Sequence, residues 1–401
     1  MSEIKKQPFL NDLEIDFLQQ NLNTNPSTLI FKKDSESISY KKIAIQLEAR
    51  NKIRKKLPSW AENLEITFPV KLSLEQSSSE TTAKYKSGLV GSGKRYIDIT
   101  GGMGVDFFYI SKKFKERTYI DLNEDLVSIA KHNFKVLSHP ADVECTNSID
   151  FIKNSDTIYD VIFLDPARRK NGIKVFHLSD CLPNLEEHQQ LLLSRSKIVF
   201  SKHSPLLDIV HLKNTLQNIK AIHIVSVSND CKEVLVIQKK GYSGAIQIET
   251  INFSNIGDAQ KYNSEYITPN SASIEIANQS ETFKYIYIPN TSILKSGLSE
   301  KVSCEFGFKK LGGNTHFYTS NDLKERFPGR CFEVVNSSNQ IKHFKKIVSK
   351  QKREVICRNA HQKPEDLIKK LNLKKGSNTH FVLAGKNEST KTIYFDCLRI
   401  F

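Results

Sequence analysis

The residues best placed to do chemistry lie in RYIDITGGMGVDFFYI, positions 95–110. A short apolar run ends in the carboxylate Asp98, and Gly101, Gly102 and Gly104 follow before a helical pattern begins. Glycines permit a tight turn and let the backbone approach a ligand where a Cβ would intrude. The helix start behind them offers N–H groups that have no partner within the helix. The dinucleotide spacing G-x-G-x-x-G is absent, because no glycine lies three residues beyond Gly104. An acidic residue, three spacers and G-x-G suit instead a cationic ligand that carries an amino group and a carboxylate. Asp98 would meet the ammonium, directly or through water, and backbone N–H groups the carboxylate. A ligand-free strand–helix turn would use the same glycines, so the loop has to be weighed with its neighbours.

Three further residues stand where a nucleoside site needs them. Asp121 ends the second apolar run, seventeen residues past Gly104, where its oxygens can accept from both ribose hydroxyls. Asn147 follows the third run, within reach of an adenine edge, and Asp165 ends the fourth inside DVIFLDPARRK. S-adenosylmethionine (SAM) meets these demands. The expected cofactor residues are Asp98, Thr100, Gly102, Gly104, Asp121 and Asn147. Arg169 suits a phosphate contact. Lys202 and His203 fall at the same edge after the fifth strand, His203 more as a surface histidine than as a proton relay.

The elements that must position these residues alternate. RYIDI, RTYIDL, VECTN, DVIFLD and SKIVFS are short apolar runs separated by amphipathic stretches such as EDLVSIAKHNFKVL. Such alternation predicts βαβ units and a mostly parallel, Rossmann-like α/β sheet, whose ligands sit beyond the carboxyl ends of the strands. AIHIVSVS and EVLVIQKK close the series with no helix between them, which predicts an antiparallel strand at one edge. Ahead of this lies a helical region, residues 1–76, with apolar residues at three- and four-residue spacing. The expected divisions are 1–76, a catalytic domain over 77–255, a connecting and ferredoxin-like α+β region over 256–325, and a basic domain over 326–401.

Charge and composition narrow the partners. The chain has 401 residues and a net charge of +15, and 39% hydrophobic with 26% charged residues is a globular balance rather than a disordered one. Residues 281–401 hold 23 basic and 11 acidic side chains, a net of +12, so the excess is concentrated in the last third. A basic block of this kind predicts a polyanion-binding surface, nucleic acid first. Lys345, Lys346 and Arg353 lie in its densest stretch, and Tyr318 and Phe327, near Arg326 and Arg330, could stack on bases, although aromatics at such spacing are more often core. No apolar run is long enough for a transmembrane helix, and MSEIKKQPFL lacks the apolar core of a secretion signal. Seven scattered cysteines with no C-x-x-C pair argue for a reducing cytoplasm and against a disulfide framework or cysteine-held metal.

With these residues in place, the sequence resembles the class I SAM-dependent methyltransferases. More closely, it is similar to bacterial proteins that join such a catalytic domain to a C-terminal THUMP-like domain. LEQSSSETTAKYK, DITGGMGVD, DPARR, FSKHSPLLDI, NDCKEVLV, YIPNTSILKSG, NTHFYTS and FPGRCFEVV carry the likeness, and DPARR combined with FPGR is its most restrictive part. The resemblance implies an RNA substrate, because THUMP domains bind RNA in their own families. It places Asp165-Pro166-Ala167-Arg168 where amino-group methyltransferases have Asp/Asn-Pro-Pro-aromatic, whose acid orients an exocyclic amine and whose ring stacks on the base. Ala167 and Arg168 depart from that pattern, so the stacking ring comes from elsewhere or the target is not an adenine N6. Ser78, Glu80, Thr82 and Tyr85 resemble the segment preceding the loop in RNA-cap guanine methyltransferases, which points toward a guanine N2.

Three function classes follow: an RNA methyltransferase, a methyltransferase of protein or a small molecule, and a non-catalytic RNA-binding protein on a worn nucleoside fold. The intact set Asp98, Gly102, Gly104, Asp121 and Asp165 disfavours the last, and the +12 segment favours the first.

Overall fold

The computed structural model describes residues 9–69, 71–167, 169–170, 173–174, 178–254, 258–268, 274–278, 281 and 283–401. The chain divides into two compact units: residues 1–203, 213–220 and 235–244 in the first, and 204–212, 221–234 and 245–401 in the second. Among the described residues no helix is long and apolar enough to cross a membrane.

The first unit opens with helices, as the spacing predicts. α1 (Asp12–Gln20) starts in a capping box in which Asn11 and Glu14 satisfy each other's backbone N–H, and α2 (Tyr40–Ile53) is capped by Ser39. Leu18, Leu29, Ile43, Ala44 and Leu47 form their common core. The buried Arg50 guanidinium donates to the carbonyls of Ala61, Asn63, Leu64 and Ile66, fixing the chain as it leaves the helices. Two side-chain amides then act as strand partners: Gln46 bonds the N–H and carbonyl of Phe68, and Asn133 those of Thr67. Each satisfies two buried backbone groups that no strand pairs.

After α3 (Glu80–Leu89) the alternating series begins: β1 (Gly93–Asp98), α4 (Val105–Ser111), β2 (Phe114–Asp121), α5 (Glu124–Val136), β3 (Asp142–Cys145), α6 (Ser148–Lys153), β4 (Tyr159–Leu164), α7 (Leu185–Ser194) and β5 (Ser196–His203). Strand order is β5-β4-β1-β2-β3, with every neighbouring pair parallel. Asp98 pairs with Tyr119 on one side and Phe163 on the other, so Asp121 and Asp165 each stand two residues past its partners, on the same carboxyl rim.

β6 (Ile219–Val227) and β7 (Asp230–Lys239) follow, and the division between units falls within them. In the second unit β8 (Gln247–Phe253) runs parallel to β6 and antiparallel to β9 (Ala259–Glu265), the edge strand. The sequence pattern shows no sign of β9, because AQKYNSE is polar along its length and largely exposed, as an edge strand can be. The remaining sheet has seven strands, β10 (Tyr285–Pro289), β11 (Lys309–Lys310), β12 (Tyr318–Ser320), β13 (Gly329–Ser338), β14 (Glu354–Arg358), β15 (His380–Lys386) and β16 (Thr392–Arg399), ordered β11-β12-β10-β13-β16-β15-β14. Its faces separate by strict alternation. Phe381 and Leu383 join Ile286, Ile288, Phe317 and Phe332 on one face. Val382 and Ala384 face the other, against Phe344 and Val348 of α8 (Ile341–Val348) and Leu367 and Leu371 of α9 (Pro364–Leu371). The i, i+4 spacing in both helices places those pairs on one stripe.

Candidate functional site on the carboxyl rim of the first sheet

The glycine loop is held by contacts that leave no room for side chains. A Cβ on Gly101 would lie 2.0 Å from the Tyr119 ring, and one on Gly104 2.8 Å from Phe134. Gly104 also sits at φ +82, a left-handed conformation favouring glycine, where it caps α4. The Tyr119 hydroxyl donates to the Gly102 carbonyl at 2.6 Å, and Gly102 N–H donates to Asp121 Oδ2 at 2.8 Å. The second oxygen of Asp121 accepts from Asn123 N–H at 2.9 Å. Each oxygen keeps a further lone pair that a ribose hydroxyl could use. Thr100 links both halves of the rim: its N–H donates to Asp98 at 2.9 Å, and its hydroxyl accepts from the Asp165 N–H at 2.6 Å.

Asp98, Thr100, Gly102, Gly104, Asp121 and Asp165 therefore share one rim. Asp98 is only 1% exposed. Burial drives its carboxyl well above the ordinary range; the Thr100 N–H bond opposes this, and the charges of Asp106, Asp165 and Asp121 add to it.

Beside it lies a network of buried ions. Lys86 of α3, fully buried, donates to Ser78 Oγ at 2.9 Å and pairs with Asp106 at 3.1 Å. Ser78 Oγ donates to Asp106 at 2.6 Å. Lys202, also buried, contacts Ser78 at 3.4 Å and Asp106 at 3.7 Å and forms an ion pair with the half-buried Asp165. Burial acts to raise the Asp106 carboxyl, but Lys86, Lys202 and Ser78 outweigh it and hold it below the ordinary range.

The charges are thus unevenly satisfied. Asp106 and Asp165 have lysine partners, whereas among the described residues Asp98 is met by Thr100, and Asp121 by the N–H groups of Gly102 and Asn123, with no cation at either. A buried carboxylate without a counter-ion is costly. The rim therefore suits a cationic ligand at Asp98 with hydroxyls at Asp121, and SAM, with its ammonium, sulfonium and ribose, fits that pattern.

Several expectations need correction. Asn147 is exposed, but its Oδ1 caps α6 by accepting from Ile149 and Asp150 N–H, so the side chain has an amide donor, not its oxygen, to offer an adenine. His203 is no surface residue: it is 4% exposed and shares a 2.7 Å hydrogen bond with Ser201, because β5 runs through the sheet interior. Arg353 cannot contact RNA as placed, since its guanidinium is buried against Asp396 at 2.7 Å. Tyr318 and Phe327 are fully buried, Phe327 with its ring against Tyr287 and Phe308, and provide no stacking surface. Lys345 and Lys346 are exposed on α8, and Arg330 is half-buried on β13. Pro166 is buried beside Asp165. Arg168 and the side chain of Arg169 lie outside the described residues.

Sequence reasoning missed Asp106 and Lys86. Asp106 carried a signal, an acid in the first turn after the glycines. Lys86 carried none, since SETTAKYKSGLV looks like any amphipathic helix.

A ferredoxin-like domain family matches residues 285–328. Two curated Mycobacterium tuberculosis proteins, from strains CDC 1551 and H37Rv, are 26% identical over 113 residues and are named uncharacterised S-adenosylmethionine-dependent methyltransferases. That match covers 28% of this chain and only 30% of the relatives' length. A crystal structure from Porphyromonas gingivalis W83, assigned to the methyltransferases, superposes over 100% of both chains with a TM-score of 0.85 and 26% identity. The chain thus has the class I SAM-dependent methyltransferase fold with a C-terminal ferredoxin-like domain, and the homologues it matches are named as S-adenosylmethionine-dependent methyltransferases.

Proposed function

We propose that the chain transfers the methyl group of SAM to a base of structured RNA, with an exocyclic amine as acceptor. The observation that carries this reading is the division of charge on the rim: among the described residues Asp98 and Asp121 meet no cation, and Asp165 faces one. SAM would supply an electrophilic methyl: the acceptor nitrogen bonds to it as the carbon–sulfur bond breaks, the electron pair stays on sulfur, and the proton lost from nitrogen passes to solvent water.

The side chains position the reactants. Asp98 receives the ammonium and Asp121 the ribose. Asp165, 29% exposed, is the least buried carboxyl of the ion network and accepts from the amine N–H groups, which draws the nitrogen lone pair out of the ring. Lys202 keeps that carboxylate in one orientation, and Lys86, Ser78 and Asp106 hold Lys202. Holding the acceptor in attack geometry is the main demand of such a displacement.

RNA as the substrate is supported by the +12 charge of residues 281–401 and by the exposed lysines of α8. Segment 326–401 is the THUMP-like part of the resemblance, and we assign it the RNA affinity. Seven free thiols support a cytoplasmic setting. The test is tritium transfer from labelled SAM to separate rRNA, tRNA and protein fractions. Label should enter an RNA fraction and vanish with Asp165→Ala while SAM still binds. Label in protein alone, or undiminished label with Asp165→Ala, refutes the assignment.

A further inference from the structure

Three arginines of the seven-stranded sheet share a face and, among the described residues, have no acidic partner. Phe332 on β13 is the cross-strand partner of Arg399 on β16, and partners in an antiparallel pair point to the same side. Arg330, two residues before Phe332, shares that side, and Ile288 of the apolar core is its partner on β10. Arg358 stands two residues after Ile356, which packs on the same core. The Arg330 guanidinium lies 5.9 Å from the centre of the Phe332 ring.

What sets these residues apart is what they lack. The Nε atoms of Arg330 and Arg358 are buried with no hydrogen-bond partner. Among the described residues, no side-chain hydrogen bond or ion pair reaches Arg330, Arg358 or Arg399. Elsewhere the buried arginines have partners at their terminal nitrogens or an acid beside them: Arg50 donates to four carbonyls although its Nε is also unpartnered, and Arg353 pairs with Asp396. Arg330 is pushed down to about 10, by burial first and then by the charges of Arg358 and Arg399, so both of those charges reach its head. The same field reaches His316, which burial, Lys310 and Arg358 hold below its ordinary range against Glu300. A buried guanidinium that feels two like charges and has an unpaired donor costs stability unless a ligand offsets it. Planar guanidinium forks match phosphate oxygens in pairs, and several forks suit a phosphate better than a single carboxylate.

We propose that Arg330, Arg358 and Arg399 form a phosphate-binding site that receives a backbone phosphodiester of the RNA substrate. The inference rests on the RNA reading above and locates its anchor on the sheet face, apart from the lysines of α8. Arg358 and Arg399 are its new members.

The test uses the full chain, a fluorescent RNA stem-loop and inorganic phosphate as probes, and the variants Arg330→Met, Arg358→Met, Arg399→Gln and their combination. Each single variant should lower the slope of log Kd against log salt by about one, and the triple variant by about three. Calorimetric affinity for S-adenosylhomocysteine should not move. The melting temperature of Arg330→Met should hold or rise, because an uncompensated charge leaves the fold; the exposed Arg399→Gln gives a reading even if a buried variant misfolds. An unchanged slope in the triple variant overturns the proposal. So does a fall in melting temperature with unchanged RNA binding, which would make these residues structural. If the wild type binds no RNA but phosphate raises its melting temperature, and the triple variant loses that rise, the anion site stands and the RNA reading fails. If neither probe binds, the site itself is refuted.

Discussion

Asp98→Asn should make the ligand-free protein more stable and the cofactor complex weaker. The carboxyl is 1% exposed, and its only hydrogen-bond donors among the described residues are the N–H and hydroxyl of Thr100. Burial, with Asp106, Asp165 and Asp121 nearby, raises it well above the ordinary range. The folded protein therefore keeps this proton where the unfolded chain has lost it. Its contribution to stability is complete below the unfolded carboxyl value of about 4 and is lost as pH rises toward the folded value. Asparagine keeps the shape and the acceptor for Thr100 while removing the charge. An unsatisfied buried group costs about 1–3 kcal/mol. At about 2–4 °C per kcal/mol for a unit of this size, melting at neutral pH should rise by about 2–12 °C. A hydrogen bond between charged groups contributes about 1.5–3 kcal/mol, so SAM should bind about 10- to 100-fold more weakly. Calorimetric titration with SAM and melting curves across the pH range measure both quantities. The gain should be largest at high pH and disappear in acid. Affinity within twofold of wild type, or a lower melting temperature at neutral pH, refutes the assignment of Asp98 as an unpartnered cation receptor.

Two further perturbations probe the loop and the ion network. Gly101→Ala places a methyl 2.0 Å from the Tyr119 ring and should cost about 1–3 kcal/mol in urea unfolding, whereas Gly91→Ala meets nothing within 4 Å and should be neutral; equal effects would show that the loop yields freely. Lys86→Met removes a fully buried partner of Asp106 and should cost about 3–5 kcal/mol, with part recovered in Lys86→Met/Asp106→Asn; a single-variant cost below about 0.5 kcal/mol would mean that the pair contributes nothing net.

How much of this was legible in the sequence depends on how local each signal is. The parallel sheet and the rim follow from the chain order alone. Once RYIDI, RTYIDL and DVIFLD are strands, the carboxylates that end them must gather at one edge, and Asp98, Asp121 and Asp165 do. β9 was not legible, because AQKYNSE faces solvent and needs no apolar alternation. Neither was the role of a charged side chain in packing. Arg353 and Arg330 look alike in sequence, two arginines in a basic segment, yet one is neutralised by Asp396, forty-three residues away, and the other pairs with no acid among the described residues. Lys86 and Lys202 pose the same problem, since their partners lie on other elements. Local pattern places a side chain on a face, but only the tertiary fold decides whether its charge is matched. Among the described residues, two carboxylates on the rim and three arginines on the seven-stranded sheet keep bonding capacity for something outside the chain.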